Sequence, residues 1–261
     1  MKKTIWITGA SSGIGEALAK EYDNQEHVLF LSGRNIPELE RVKSEIKYAQ
    51  VHIIPFDISN EAASLDAVQA VKDLSSGQLN LLINNAGISQ RSLALDTILE
   101  VDKKLIDVNY ISQVRLTKAA MPMLLASGNA QIVVITSVMG KIGTPYRSAY
   151  AGSKHALHGF FNSLRAELHD KNVSVTIISP GFVQTAISIN ALTGDGSAQN
   201  SMDAGNANGL TPAQFAKKAR KAIERKKKEV IISKFKEKFG VFMYKFFPDI
   251  FAILIRKMSV R

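Results

Sequence analysis

Residues 137–154 hold a serine, a tyrosine and a lysine at spacings that have a chemical use. Ser137 directly follows the short, β-branched apolar run at 131–136, which predicts a buried strand. Ligands bind at the C-terminal ends of strands in open α/β sheets, so Ser137 is expected at the rim of a site. After a Gly/Pro loop, Leu157, Phe160, Phe161, Leu164 and Leu168 recur at helical spacing. Tyr150 and Lys154 then fall four apart in the first turns of that helix, on one face. A free phenol, with a pKa of roughly 10, is a poor acid or base near neutrality. An ammonium held close by favours the phenolate, and Tyr150 is thereby a candidate for exchanging a proton with an alcohol or ketone oxygen. Ser137 is a candidate for hydrogen-bonding the same oxygen. A Tyr-x-x-x-Lys pair alone is equally explained by an ordinary helix face, so the weight falls on what positions it.

The elements that position it begin at the first residues. Residues 4–8 read as a short apolar strand, followed by T-G-A-S-S-G-I-G at 8–15 and a helix with Ile14, Leu18 and Ala19 on one side. Gly9, Gly13 and Gly15 allow a tight turn and close approach of a phosphate to the backbone, and the helix N-terminus supplies N–H groups and a favourable dipole. A glycine motif between a strand and a helix, at the start of a βαβ pattern, is the context a dinucleotide site requires. The next strand, 27–31, runs into Ser32, Gly33 and Arg34. An acid here would suit a ribose 2′-hydroxyl and an arginine a 2′-phosphate, so Arg34 favours NADP over NAD.

Further strands are predicted at 51–56, 79–83, 131–136, 173–179 and 230–232. Asn35, Asn60 and Thr211 are candidate helix caps, with Pro37 and Pro212 in first turns, and Ser59 is a further cap candidate. Asn84 to Gly87 follow the fourth strand and read either as an ordinary turn or as part of the cofactor side. A long helical region covers 99–126, with Asn109 inside it as either a surface residue or a polar group serving the site. The βα alternation implies one doubly wound parallel sheet of about seven strands with helices on both faces, a single-domain Rossmann fold. Residues 182–210 are rich in Asn, Gly, Ser and Ala with little periodicity, and their place after a strand end suggests a mobile lid over substrate.

Composition narrows the classes. With 261 residues and 46% hydrophobic content, the chain has enough for one sizeable core. It has no cysteine, hence no disulfide framework, no thiolate chemistry and no zinc site, which fits a reducing, cytoplasmic setting. The basic start is followed by too short an apolar run for a signal peptide, and no run suits a membrane-spanning helix. The net charge of +10 is concentrated at 211–238, with eleven Lys/Arg against three Glu. That block reads as a solvated helix face, and no nucleic-acid partner is expected. The extension at 234–261 interleaves lysines with Phe, Tyr, Ile and Met around Pro248. It suits a peripheral contact at a membrane interface, a wall of the substrate pocket or a subunit contact, and the sequence leaves all three open.

Taken together, these motifs resemble the short-chain dehydrogenase/reductase family over nearly the whole chain. Segment 190–202 and the aromatic extension look most like its animal "member seven B" branch, which is associated with membranes and thought to act on lipid-like carbonyls. Members of that branch carry an N-terminal anchor, whereas this chain starts at the first strand, so integral attachment is not expected. The resemblance implies a catalytic set of Asn109, Ser137, Tyr150 and Lys154. It implies cofactor contacts through Thr8, Gly9, Ser11, Ser12, Gly13, Ile14, Gly15, Arg34, Asp57, Ile58, Asn85, Ala86, Gly87, Tyr150, Lys154, Pro180, Gly181, Val183 and Thr185. The implied reaction is hydride transfer between NADP(H) and a hydrophobic carbonyl or its alcohol, in a homodimer or homotetramer. In that scheme Tyr150 is the general acid or base and Lys154 lowers its pKa. Ser137 polarises the carbonyl and Asn109 holds a water in a proton relay. The alternative is an NADP(H)-binding redox-sensing or scaffold module with little turnover.

Overall fold

Hydrophobic periodicity decides the architecture, and a computed structural model describes it for residues 3–256. Strands and helices alternate as β1 Lys3–Thr8, α1 Gly13–Glu21, β2 His27–Ser32, α2 Ile36–Glu45, β3 Gln50–Ile53, α3 Glu61–Leu74 and β4 Leu81–Asn84. The second half runs α4 Leu99–Ile106, α5 Ser112–Ala126, β5 Ala130–Ile135, α6 Ser148–Glu167, β6 Val173–Pro180, α7 Ala204–Ala207, α8 Pro212–Glu224 and β7 Glu229–Ile232. Two further helices, α9 Phe235–Phe246 and α10 Pro248–Ile255, close the described chain. All seven strands pair in parallel, in the order β3-β2-β1-β4-β5-β6-β7. The chain therefore winds outward from β1 in one direction and, from β4 onward, in the other. The crevice at that switch, between β1 and β4, is where a Rossmann sheet takes its ligand.

Successive strand residues point to opposite faces, so each strand feeds two cores. Ile5, Ile7, Leu29 and Leu31 pack with Leu18, Leu39, Val42, Phe215 and Ile223 on the α1–α2–α8 face. Trp6, Phe30, Ile132 and Val134 pack with Val71, Leu116, Leu124, Leu157 and Phe161 on the α3–α5–α6 face. Helices cover both faces, which is why β5 is buried along its whole length and reads as a continuous apolar run. The Trp6 indole N–H, deep in the second core, donates to the Ser32 hydroxyl at 2.9 Å. A one-residue slip of any strand would exchange its two core sets, which fixes the register.

Predicted caps are present: Asn35 accepts from Glu38 N, Asn60 accepts from Ala63 N, and Thr211 forms a reciprocal capping box with Gln214. Ser59 instead donates to Asp57. Four expectations change. The third strand proper stops at Ile53 rather than Phe56, although Ile54 N still donates to Leu31 O at 2.9 Å and Phe56 N to Gly33 O at 3.1 Å on either side of Pro55. The fourth begins at Leu81, since the Leu79 N–H is taken by Met123 O at 3.1 Å. The helix at 99–126 is not continuous: a π turn, Asp107–Ile111, separates α4 from α5 and holds Asn109. Segment 182–210 is not structureless, for it contains α7 and isolated bridges Gln90↔Leu192, Leu192↔Ala198 and Val183↔Leu210. The aromatic extension folds into α9 and α10; its last residues, 257–261, and residues 1–2 lie outside the described residues.

Candidate active site

The C-terminal ends of β1, β4, β5 and β6 open onto one cleft of about 460 Å³. At its floor, the glycine loop turns from β1 into α1. Gly9 (φ +65°) and Gly13 (φ +58°) occupy the left-handed region that disfavours other residues. Gly15 is demanded by packing: a Cβ there would lie 2.1 Å from Gly9 O. Asn85 props this loop from β4, donating from Nδ2 to Thr8 O at 2.9 Å and to Gly9 O at 3.1 Å. The Thr8 hydroxyl accepts from the N–H groups of Asn85 and Ala86 at 3.0 and 3.1 Å. Thr8, Gly9, Ser11, Ser12, Gly13 and Ile14 line the cleft, with Gly15 just behind them. Ser12 occupies the N-cap position of α1 and makes no side-chain cap, so the first N–H groups of the helix remain available to an anion.

Beyond β2, Arg34 is exposed and its guanidinium lies 3.8 Å from the Asp57 carboxylate. Burial raises the Asp57 pKa, but hydrogen bonds from the Ser59 hydroxyl and N–H, with Arg34 and Lys104 nearby, bring it net below the usual range. Arg34, Asp57 and Ile58 line the same end of the cleft. Ala86 and Gly87, Pro180 and Gly181, and Val183 and Thr185 form its other walls. Thr185 approaches the glycine loop, its Cγ2 3.0 Å from where a Cβ of Gly13 would sit. Asn84 serves the core instead, donating to the Thr117 hydroxyl at 2.9 Å.

Ser137, Tyr150 and Lys154 face this cleft together. Ser137 leaves β5 in extended backbone and its Oγ accepts from Met139 N at 3.1 Å. Tyr150 is buried against Val101, Leu105 and Leu192. Burial pushes its phenol above the usual value, opposed by a hydrogen bond with Ser137 and by the positive charge of Arg147. Lys154 donates to Ile135 O at 3.1 Å, and its Nζ stands 5.9 Å from the Tyr150 ring centre. Burial lowers the Lys154 ammonium to about 8. Arg147, a residue on which the sequence reading placed no role, lines the same cleft. Asn109 does not line the cleft but stands directly behind it, fully buried. Its Oδ1 accepts from Ile88 N at 2.8 Å, and its Nδ2 donates to Ile88 O at 3.0 Å and to the Ser153 hydroxyl at 3.0 Å. A Cβ on Gly87 would lie 3.0 Å from Asn109 Oδ1 and 3.4 Å from Lys154 Nζ, so these three meet. The π turn shifts Asn109 out of ordinary helical phase, a distortion often found at functional sites.

Four site residues carried no motif. Gln90, fully buried, accepts with Oε1 from Ala149 N at 3.0 Å and Tyr150 N at 3.3 Å. It thereby caps α6, whose own N-cap residue Arg147 supplies no side-chain acceptor. Asp203, buried within segment 182–210, pairs with both Arg91 and Arg147. Arg147 lies three residues before Tyr150, a spacing that hints at a shared face; nothing local marks Gln90, Arg91 or Asp203, which long-range folding brings in.

A family model described as "short chain dehydrogenase" matches residues 3–195. The chain is 38% identical to the mouse protein "Dehydrogenase/reductase SDR family member 7B" over 95% of its own length and 78% of that protein's. Among solved structures it resembles an alcohol dehydrogenase from Thermococcus sibiricus complexed with 5-hydroxy-NADP, at TM-score 0.76 and 23% identity, covering 90% of this chain and 97% of that one. It also resembles a short chain dehydrogenase/reductase from Burkholderia phymatum in complex with NAD, at TM-score 0.78 and 22% identity, covering 88% of each. At those identities the structural likeness establishes the fold.

Proposed function

This chain belongs to the short-chain dehydrogenase/reductase family of nicotinamide-dependent oxidoreductases, and on that premise we propose that it transfers hydride between NADP(H) and a hydrophobic ketone or the matching secondary alcohol. The observation that carries this reading is the convergence of Ser137, Tyr150 and Lys154 on the cleft that also contains the glycine loop. The residues fit a dinucleotide. A Cβ at Gly15 would strike Gly9 O, free N–H groups sit at the start of α1, and a cation rather than an acid follows β2. Arg34 suits a 2′-phosphate, and Asp57 and Ile58 sit beside it for the adenine end. Pro180, Gly181, Val183 and Thr185, with Lys154, would hold the nicotinamide end.

Bound NADPH supplies the hydride. The chain's own residues supply placement and proton chemistry. Ser137 donates to the carbonyl oxygen and steadies its developing charge. Tyr150 gives that oxygen a proton in reduction and takes it back in oxidation. Lys154 lowers the pKa of the phenol, and Asn109 behind the cleft would hold a water that connects Lys154 to solvent as a proton relay. Segment 182–210 is the substrate loop, and Phe182, Ala186 and Ile187 give the cleft an apolar wall there. The exposed aromatic face of α9 and α10 makes peripheral contact with a lipid surface, from which an apolar substrate is drawn.

Fluorescence titration of NADPH and NADH tests the cofactor assignment. NADPH is expected to bind more tightly, with the preference lost in Arg34→Ala; equal binding unaffected by the substitution would remove it. Turnover on a panel of hydrophobic carbonyls is expected to vanish in Tyr150→Phe with NADPH binding retained. Unchanged turnover in that variant would instead favour the binding-module alternative.

A further inference from the structure

Segment 211–238 holds eleven Lys/Arg against three Glu, and the fold leaves that excess uncompensated. Each of the three Glu is engaged elsewhere. Glu224 accepts from Arg220 at 2.8 Å, Glu229 pairs with Lys141, and Glu237 accepts from Phe182 N at 3.3 Å. A second concavity, of about 180 Å³ and sharing no lining residue with the cleft, opens between α8, β7 and α9. β7 is an edge strand of the sheet, and its residues give the concavity an apolar wall. Five cations also line it: Lys218, Lys221 and Arg225 of α8, Lys227 of the following turn and Lys238 of α9. No acidic residue lines it, and none of the five has an ion pair or side-chain hydrogen bond among the described residues. Lys218, Lys221 and Arg225 stand at i, i+3 and i+7, so α8 presents them on one face. Like charges at such spacing oppose each other and cost stability. A solvated helix face would spread its charges, whereas here cations from three parts of the chain converge on a hollow, which concentrates their field on an anion.

We propose that this concavity binds the phosphorylated headgroup of an anionic lipid, and thereby sets which lipids the α9–α10 surface meets. The inference rests on the lipid contact proposed above and adds a headgroup preference to it. Phosphomonoesters have the matching chemistry, since each bears about −1.5 to −2 charges near neutrality and three acceptor oxygens. A headgroup with more than one of them answers five cations better than a single carboxylate does. Lys238 joins the concavity to the aromatic surface. Phe235, three residues before it, and Phe242, four after it, share its face of α9, and both rings are exposed. A headgroup held at Lys238 thus has exposed apolar rings beside it for the lipid surface it projects from. Basic clusters on an amphipathic helix suit phosphorylated lipids of this kind. A second copy of the chain is a poorer occupant, because a symmetric contact here would set these cations against their own counterparts.

Vesicle flotation at low salt tests the proposal. Phosphatidylcholine vesicles carry either phosphatidylinositol bisphosphate or enough phosphatidylserine to match its surface charge. The wild-type protein is expected to bind the bisphosphate vesicles about tenfold more tightly. Lys221→Ala with Arg225→Ala is expected to lose that preference, with binding to these vesicles falling about fivefold for each cation removed. Its NADPH affinity is expected to be unchanged and its melting temperature not lowered, since the substitutions relieve repulsion. Lys217→Ala with Lys236→Ala removes the same charge from outside the concavity and is expected to keep the preference. Equal binding to the two charge-matched vesicles overturns the headgroup site and leaves the lipid contact standing. Flotation with neither removes the lipid contact itself. A preference that survives in the Lys221/Arg225 variant, or that both double variants lose alike, also overturns the site. So does calorimetric binding of water-soluble inositol trisphosphate without flotation, which would make a free anion the ligand. A duplex oligonucleotide bound as tightly as the bisphosphate vesicles would mark a general polyanion surface and equally overturn it.

Discussion

Lys154 presents the sharpest case of a single residue whose placement costs stability. Its ammonium is buried, has one carbonyl partner, and titrates at about 8 instead of 10.5. The folded state therefore holds the proton less tightly than the unfolded chain. Below about pH 8 both states are protonated and the full penalty of burying the charge is present. Between 8 and 10.5 the unfolded chain binds more protons, and stability rises with pH. Lys154→Met is accordingly expected to be more stable than wild type near neutrality, by at most about 3 kcal/mol. That gap is expected to close as pH rises toward 10.5. Denaturant unfolding across this range measures it, and a gap independent of pH would contradict the assignment. Asn109 shows the opposite economy: buried and fully engaged with Ile88 and Ser153, it costs no unpaired amide while lying against Gly87 and Lys154. From sequence it was indistinguishable from a surface asparagine, because nothing near it in the chain shows that Ile88 will arrive opposite.

At the level of the element, the first turn of α6 carries Tyr150 and is held from outside the helix. Helix starts leave N–H groups unpaired, and here the acceptor comes from a loop after β4. Gln90 takes Ala149 N and Tyr150 N with Oε1, while its Nε2 donates to Thr97 Oγ1 at 3.0 Å and to Ser92 Oγ at 3.2 Å. The isolated bridge to Leu192 ties the same residue to segment 182–210. Gln90→Leu keeps much of the volume and removes both acceptor and donor. It is expected to cost about 1–3 kcal/mol of stability for the buried groups left unpaired. It should also lower kcat more than it raises the cofactor Kd, because the phenol moves while the glycine loop does not. Paired thermal melts, NADPH titrations and steady-state kinetics check this; an unchanged kcat would show that α6 holds Tyr150 without Gln90. The helix itself was legible from the 3.6-residue recurrence of Leu157, Phe161 and Leu164. Its cap was not, because the capping side chain lies far away in sequence.

Over the whole molecule, α9 and α10 follow β7 and pack one side against Ile231, Val138 and Ile142. Phe251 is buried beside Val138 and Ile142, whereas Phe235, Phe246 and Ile253 are 79%, 56% and 57% exposed. Phe239, Phe242, Tyr244, Phe247 and Ile250 are also exposed, with Lys234, Lys236, Lys238 and Lys245 among them. Exposed apolar surface of this extent marks an interaction site, and interleaved lysines suit anionic headgroups. No helix among the described residues is long and apolar enough to cross a membrane. The expected outcome is that the protein co-floats with phosphatidylserine-containing vesicles, less so at high salt, and that Phe242→Ser with Phe246→Ser abolishes this without altering NADPH affinity. A wild-type protein that stays with the soluble fraction at low salt would rule the lipid contact out. Glu237 Oε1, at the base of α9, accepts from Phe182 N at 3.3 Å, so this surface is joined to the cleft through segment 182–210.

What the sequence determined by itself follows from short-range physics. Alternating apolar runs set the strands, 3.6-residue recurrence set the helices, and glycines beside a helix start marked the tight turn from β1 into α1. The spacing of Tyr150 and Lys154 put them on one helix face, and the placement of Ser137 at the end of β5 followed from the apolar run before it. Tertiary structure alone decided the rest. The orientation of Lys154 toward Ile135 O, the capping of α6 by Gln90 and the sharing of Asp203 between Arg91 and Arg147 all join residues from separate elements. Burial then gives these contacts their strength, since a charge or amide removed from water must be answered by whatever the fold sets opposite it. Neither the partner nor the burial is encoded locally, so the electrostatics of the phenol emerge only when the sheet, α6 and segment 182–210 have closed on one another.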